Sequence, residues 1–201
     1  MAAHSGVEIE IKLMVADAAK GRGILRRAGF HISRRKVFES NTVFDRPEGT
    51  LRGAGCLLRV RDAGGKATLT YKGAAEADSK YKSREELEVE VPDAGAITAI
   101  VERLGFEPVF RYEKYRTEYR QTGGGGVATL DETPIGVYLE LEGAADWIDR
   151  TASQLGFAES EYILGSYAFL YAQWRRLWGA PAGDMVFETQ GAGGRGPGTG
   201  V

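Results

Sequence analysis

Apolar and polar positions alternate strictly from Val7 to Leu13, which reads VEIEIKL. That period of two predicts a strand. Residues 32–45 are polar and β-prone, with Arg46-Pro47-Glu48-Gly49 marking a turn. CLLRVRD from Cys56 and KATLTYK from Lys66 read as two short strands around a hairpin turn at Asp62-Ala63-Gly64-Gly65. SREELEVEV from Ser83 alternates again and stops at Pro92. Residues 109–120 form a long strand, and residues 127–131 and 137–142 two more, with a four-glycine connector at Gly123 to Gly126. Helices are expected over residues 16–28, from an Asp93 cap to Leu104, over 144–155 and over 166–178. Three of them end alike, at Ala28-Gly29-Phe30, Leu104-Gly105-Phe106 and Leu155-Gly156-Phe157. Glycine there supplies a left-handed turn that lets the aromatic ring pack back on the helix.

Alternation also sorts the charges. Successive side chains on a strand point to opposite faces. Glu8, Glu10 and Lys12 therefore share one face, as do Arg59 with Arg61, Thr70 with Lys72, Arg84 with Glu86, Glu88 and Glu90, Lys114 with Arg116, and Glu140 with Glu142. One such strand is an ordinary solvated sheet face. At least five of them, with like charges stacked two residues apart, call for something opposite between the charges. A divalent cation suits the glutamates, because hard cations take oxygen ligands. A polyphosphate suits the arginines, whose forked guanidinium matches phosphate oxygens. A closed barrel would gather all these groups on one inner wall and turn the apolar faces outward, under the helices. The expected fold is thus α+β: a closed antiparallel barrel of about eight strands, with a charged tunnel and helices outside.

Composition narrows the class further. The chain has 201 residues and a net charge of −2, from 26 Lys and Arg against 28 Asp and Glu. That balance gives no global attraction to nucleic acid. A single cysteine, Cys56, cannot form an internal disulfide, and two histidines are too few for a His-rich metal site. No run approaches the roughly 18 apolar residues of a membrane span. The start MAAHSG has no basic segment leading into an apolar one, so a cytoplasmic location is expected. No GxxxxGK[ST] phosphate loop occurs, and a strand rather than a helix follows Gly123 to Gly126. Residues 191–200 hold six glycines and one proline. Residues 1–178 are expected to form one domain and 179–201 a disordered tail.

The ordered set of motifs resembles the CYTH superfamily, the triphosphate tunnel metalloenzymes, over about residues 7–178. Glu8-Ile9-Glu10-Ile11-Lys12 is similar to its ExExK signature, and Leu58-Arg59-Val60-Arg61 to its LRxR strand. Thr70-Tyr71-Lys72, Arg84 with Glu86, Glu88 and Glu90, and Lys114-Tyr115-Arg116 resemble its TxK, acidic and KxR strands. Asp131, Gly136 and Glu140-Leu141-Glu142 resemble its closing segment, and Ser166-Tyr167 also fits.

The resemblance implies roles. Glu8, Glu10, Asp131, Glu140 and Glu142 would hold Mg²⁺ or Mn²⁺, Asp131 alternatively orienting basic groups. Lys12, Arg59, Arg61, Lys72, Arg84, Lys114 and Arg116 would bind phosphate oxygens. Lys114, Arg116 and Glu10 would carry catalysis, while Glu86, Glu88 and Glu90 are tunnel acids whose roles the sequence does not divide. The family comprises triphosphatases and class IV adenylyl cyclases. The first reading is therefore metal-dependent hydrolysis of inorganic triphosphate, thiamine triphosphate or another small organic triphosphate. The alternatives are cyclisation of ATP to cyclic AMP and pyrophosphate, or polyphosphate binding without catalysis. The partner is a small-molecule triphosphate, with no nucleic acid and no membrane, the chain acting as a monomer or homodimer.

Overall fold

The computed structural model describes residues 3–77 and 79–188. Its strands are β1 (Ala3–Val15), β2 (His31–Asp45), β3 (Leu57–Ala63), β4 (Lys66–Lys72), β5 (Lys82–Val91), β6 (Glu107–Arg120), β7 (Gly126–Thr133) and β8 (Gly136–Gly143). They close into a barrel in the order β1-β5-β4-β3-β2-β6-β7-β8. Every pair is antiparallel, and β8 returns to β1 through Glu10↔Glu142 to Val15↔Val137. The expected α+β barrel is the observed one. Its helices are α1 (Ala18–Arg27), α2 (Thr50–Gly53), α3 (Ala94–Arg103), α4 (Ala145–Leu155) and α5 (Tyr167–Trp178). No helix among the described residues is long and apolar enough to cross a membrane.

The helices start and stop where side chains satisfy their ends. Asp17, Asp93 and Ser166 accept from the backbone N–H of Lys20, Ala96 and Phe169. Gly29, Gly105 and Gly156 take φ of 82°, 85° and 90°. The N–H of Phe30, Phe106 and Phe157 then donates back to the carbonyl of Leu25, Val101 and Ala152. The short helix α2 stands where only a turn is expected. Asp45 creates it, accepting from the N–H of Arg46 at 2.7 Å, Leu51 at 2.9 Å and Arg52 at 2.9 Å.

The apolar core lies outside the barrel wall. Ile11 and Leu13 of β1, Leu130 of β7, and Leu139 and Leu141 of β8 meet Leu25 of α1 and Trp147 and Ile148 of α4. Phe44, Val60 and Val101 form a second cluster under α3. The glycine connector serves this packing. A Cβ on Gly126 would stand 2.5 Å from the Glu142 carbonyl oxygen and 2.5 Å from the Trp147 ring.

The expected tail boundary at 179 is not where the chain leaves the barrel. β7 pairs with β6 only from Tyr115 to Tyr119, which leaves the first half of β6 with a free edge. Residues 184–187 occupy that edge. The Met185 N–H donates to Arg111 at 3.0 Å, and the Glu113 N–H donates to Met185 at 2.8 Å. Asp184 accepts from the Arg111 N–H, and Glu113 from the Phe187 N–H. Met185 is fully buried against Tyr112, Tyr138 and Tyr167. An unpaired strand edge and an apolar side chain thus order a segment that composition alone reads as tail. Residues 189–201 lie outside the described residues. Met185→Ala should cost about 2–4 kcal/mol, as expected for a buried methionine truncated to a cavity. A lowered midpoint in urea unfolding is the expected result, and an unchanged midpoint would show that this strap is not part of the folded barrel.

Candidate functional site: a charged lumen

The inner wall carries the alternate charges of nearly every strand. It encloses a cavity of about 740 Å³. Val43, Leu57 and Phe110 line the end near α2, and Glu118 and Thr129 line the far end. Of the expected site residues, Glu8, Glu10, Lys12, Arg59, Arg61, Lys72, Arg84, Lys114, Arg116, Glu140 and Glu142 all face this cavity, with Glu86 and Glu88. Glu90 does not. It is exposed at the end of β5 and is no tunnel acid.

Burial without water forces these charges to pair. On one side of the lumen Lys72 bonds Glu8 and lies 3.3 Å from Glu86. Glu10 accepts from Lys82 at 2.6 Å and Lys12 at 3.2 Å, and Lys12 lies 3.4 Å from Glu140. Across from them, Arg61 meets Glu88 at 3.1 Å. Arg59 is held by the hydroxyls of Tyr112 and Thr70, each at 3.2 Å. Burial alone would lift the Glu10 and Glu140 carboxyls. Lys12 and Lys82 hold Glu10 well below the usual carboxylate range, and Arg116 and Lys12 do the same for Glu140.

Asp131 has a different place from the one expected. It is fully buried and is not part of the cavity lining. Its oxygens accept from Lys114 at 2.8 Å, from Arg116 at 2.8 and 2.6 Å, and from the Tyr167 hydroxyl at 2.8 Å. A carboxylate so fully engaged has no oxygen to offer a metal. Asp131 braces two basic side chains from behind, the orienting role that the sequence also left open to it.

Three buried polar residues escaped the sequence reading, Lys82 on the cavity lining and Glu39 and Asn41 beside it. Lys82 extends the β5 alternation by one step towards the loop, where Tyr81-Lys82 carries no strand period of its own. Burial, with Lys12 and Arg84 nearby, brings its ammonium down to about 8, although Glu10 opposes this. Glu39 and Asn41 of β2 are 1% and 0% exposed. They sit in a strand that looked merely polar, and a single inward carboxylate gives no stacked-charge signal.

Whether a cation fits depends on the acids at the β1–β8 seam. Among the described residues no three His, Cys, Asp or Glu side chains are gathered closely enough to hold a metal ion. The donor chemistry nonetheless suits a hard cation, because all four seam groups are carboxylates. Glu142 makes no ion pair among the described residues. Burial, then the charge of Glu8, then those of Glu10 and Glu86 push its carboxyl up to about 7, with Lys72 opposing. The side chain is nonetheless among the exposed residues, so the burial part of that rise is discounted, and what remains is a carboxylate beside Glu8 and Glu10 with no base paired to it.

Comparison with known proteins agrees with this architecture. Residues 6–162 match the CYTH domain. The chain belongs to the CYTH family. A CYTH relative from Methanocaldococcus jannaschii, provisionally named an adenylate cyclase, is 33% identical over 137 residues, which cover 68% of this chain and 76% of that protein. A solved Pyrococcus horikoshii protein superposes with a TM-score of 0.71 at 26% identity, covering 83% of this chain and 98% of that one. A Hippeastrum protein, provisionally called an adenylyl cyclase and described as having a dominant triphosphatase activity, gives 0.59 at 22% identity, covering 84% and 95%. That last likeness establishes the fold alone.

Two outcomes follow for this CYTH lumen. Asp131→Asn removes the charge facing two buried cations and should cost about 3 kcal/mol, while Glu90→Gln should stay within about 0.5 kcal/mol. Equal denaturation midpoints for the two variants would refute the brace. The second concerns pH. A carboxyl raised above its unfolded value of about 4.3 binds its proton more tightly in the folded state. Stability from Glu142 is therefore fully present below about pH 4.3 and lost as pH rises through about 7. Glu142 is the most solvent-accessible of the four, so the effect is smaller than the shift alone implies. Glu142→Gln should match the wild type in melting temperature near pH 4 and exceed it near pH 8. The reverse order would refute the crowding of negative charge.

Proposed function

We propose that the protein is a divalent-cation-dependent triphosphatase acting on inorganic triphosphate or a small organic triphosphate. The observation that carries this reading is the sorting of charge inside one cavity. Glu8, Glu10, Glu140 and Glu142 stand on the adjacent strands β1 and β8 with Lys12 between them, and Arg59, Arg61, Lys72, Lys114 and Arg116 stand on β3, β4 and β6. A linear polyanion needs such a row of donors, and each guanidinium can grip two oxygens.

Phosphoryl transfer depends mostly on positioning and on stabilising charge. Arg59, steadied by Tyr112 and Thr70, and Arg61 would bind oxygens along the chain. Lys114 and Arg116, fixed from behind by Asp131, would stabilise charge on the leaving group. Glu8, Glu10, Glu140 and Glu142 would hold Mg²⁺ or Mn²⁺, which would supply a water of lowered pKa and stabilise negative charge on the phosphates. No serine, cysteine or histidine nucleophile is required.

A second reading, conversion of ATP to cyclic AMP, draws support from the α2 end of the cavity. Val43, Leu57, Val109 and Phe110 there form an apolar surface against which a nucleobase could lie. The two reactions use the same donors and differ in which phosphorus is attacked.

Incubating the full chain with Mg²⁺ or Mn²⁺ and inorganic triphosphate, thiamine triphosphate or ATP separates the possibilities. Phosphate release without cyclic AMP is the expected result. Cyclic AMP and pyrophosphate would establish the second reading, and binding without turnover would leave a polyphosphate-binding module. Glu10→Gln should reduce turnover by at least 100-fold while the protein stays folded. Near-normal turnover in that variant would overturn the cation site.

A further inference from the structure

One buried carboxylate, not itself part of the cavity lining, lies beside bases that are, and it has no part in the proposed reaction. Glu39 lies on β2 and is 1% exposed. Neither of its oxygens receives a hydrogen bond among the described residues. Its nearest cations are Lys114 at 3.7 Å and Arg61 at 3.9 Å. Both are already engaged more closely by other acids, Lys114 by Asp131 at 2.8 Å and Arg61 by Glu88 at 3.1 Å.

A buried carboxylate without donors is costly, and such a group ordinarily takes up a proton. Glu39 does the opposite. Burial raises its carboxyl, but the charges of Lys114, Arg116, Arg61 and Arg59 outweigh burial and bring it down to about 2. These four bases are the ones assigned above to phosphate oxygens. Glu39 is close enough to neutralise part of their charge and too far to occupy their donor hydrogens. Its neighbour on the same face, Asn41, is fully buried with both amide atoms unpartnered. The β2 wall thus offers the bases charge and polarity without hydrogen bonds.

We propose that Glu39 is a built-in counter-anion. It holds the empty lumen together by offsetting repulsion among the four bases, and by the same charge it weakens the binding of an incoming polyphosphate. It is therefore an affinity-setting residue of the tunnel. The inference rests on the triphosphate reading of the cavity.

The two effects of Glu39 have opposite signs, which separates this role from mere structural support. If Glu39 only kept the bases in order, removing its charge would loosen anion binding. As a counter-anion, removing its charge tightens it. A unit charge several ångströms from a bound phosphate in a protein interior changes affinity on the order of tenfold.

The test is calorimetric titration of the full chain with inorganic triphosphate, with and without Mg²⁺, on three proteins. Glu39→Gln keeps the shape and removes the charge. Asn41→Asp keeps the shape and adds a charge at the next inward position. The expected result is roughly tenfold tighter binding by Glu39→Gln, with a lower melting temperature in the absence of ligand, and roughly tenfold weaker binding by Asn41→Asp. Equal or weaker binding by Glu39→Gln, or equal or tighter binding by Asn41→Asp, overturns the proposal. If Glu39→Gln does not fold, the sign of the Asn41→Asp change decides alone. A wild-type protein that fails to bind triphosphate overturns the tunnel reading, and this inference with it. Wild-type binding with the wrong sign in the variants overturns only the role of Glu39.

Discussion

Charge taken out of water must find opposite charge, and the rest of this molecule is arranged around that requirement. A closed eight-stranded barrel removes a whole sheet face from bulk solvent. In this chain that face carries lysines, arginines and glutamates. Desolvating each ion costs several kcal/mol unless partners and hydrogen bonds offset it. The lumen meets the cost by pairing: Glu8 with Lys72, Glu10 with Lys12 and Lys82, and Glu140 with Arg116. Stability comes from the other face of the same strands, where Ile11, Leu13, Leu139 and Leu141 lie under α1 and α4. Folding energy and chemistry are thus divided between the two sides of a single wall.

That division is also why so much was legible. A period of two shows which residues share a face, and like charges repeated at that period identify a face that is not simply wet. Glu8, Glu10, Arg59, Arg61, Lys114, Arg116, Glu140 and Glu142 could be found because each stands beside a like-charged neighbour two positions away. Lys12, Lys72 and Asp131 lack that signature and were placed by the family motif instead, and residues with neither were not found. Glu39 and Asn41 are single inward groups on an otherwise exposed strand, and their meaning comes from Lys114 and Arg61 on neighbouring strands. Asp131 could be placed on the correct strand, but periodicity cannot tell whether a carboxylate meets the cavity or is saturated behind it. The strap at residues 184–187 has no period, and what orders it is the free edge of β6.

The strap and the lumen are not independent. Met185 packs on Tyr112 and Tyr167. The Tyr112 hydroxyl meets Arg59, and the Tyr167 hydroxyl meets Asp131, which in turn holds Lys114 and Arg116. Two tyrosines therefore join the apolar contacts of the C-terminal segment to the geometry of three bases. Aromatic side chains suit this position, since one ring can be packed apolar on its body and hydrogen-bonded at its tip.

The pairing that stabilises the empty lumen also sets how ligands must enter it. A phosphate that takes Lys72 or Arg116 from its carboxylate leaves Glu8 with only Arg84 at 3.7 Å, or Glu140 with only Lys12 at 3.4 Å. That loss opposes the anion unless a cation replaces the base. A cation bound at the carboxylates alone faces the mirror problem, because it leaves Lys12 and Lys82 unpaired beside Glu10. On the proposed reading each ligand would remove the cost that the other incurs, and their binding free energies would be positively coupled. Glu142, with no base of its own, is the exception, and on the proposed reading it would give the cation a place to begin. A wall whose acids and bases already satisfy one another favours a metal and a polyanion arriving together over either one alone.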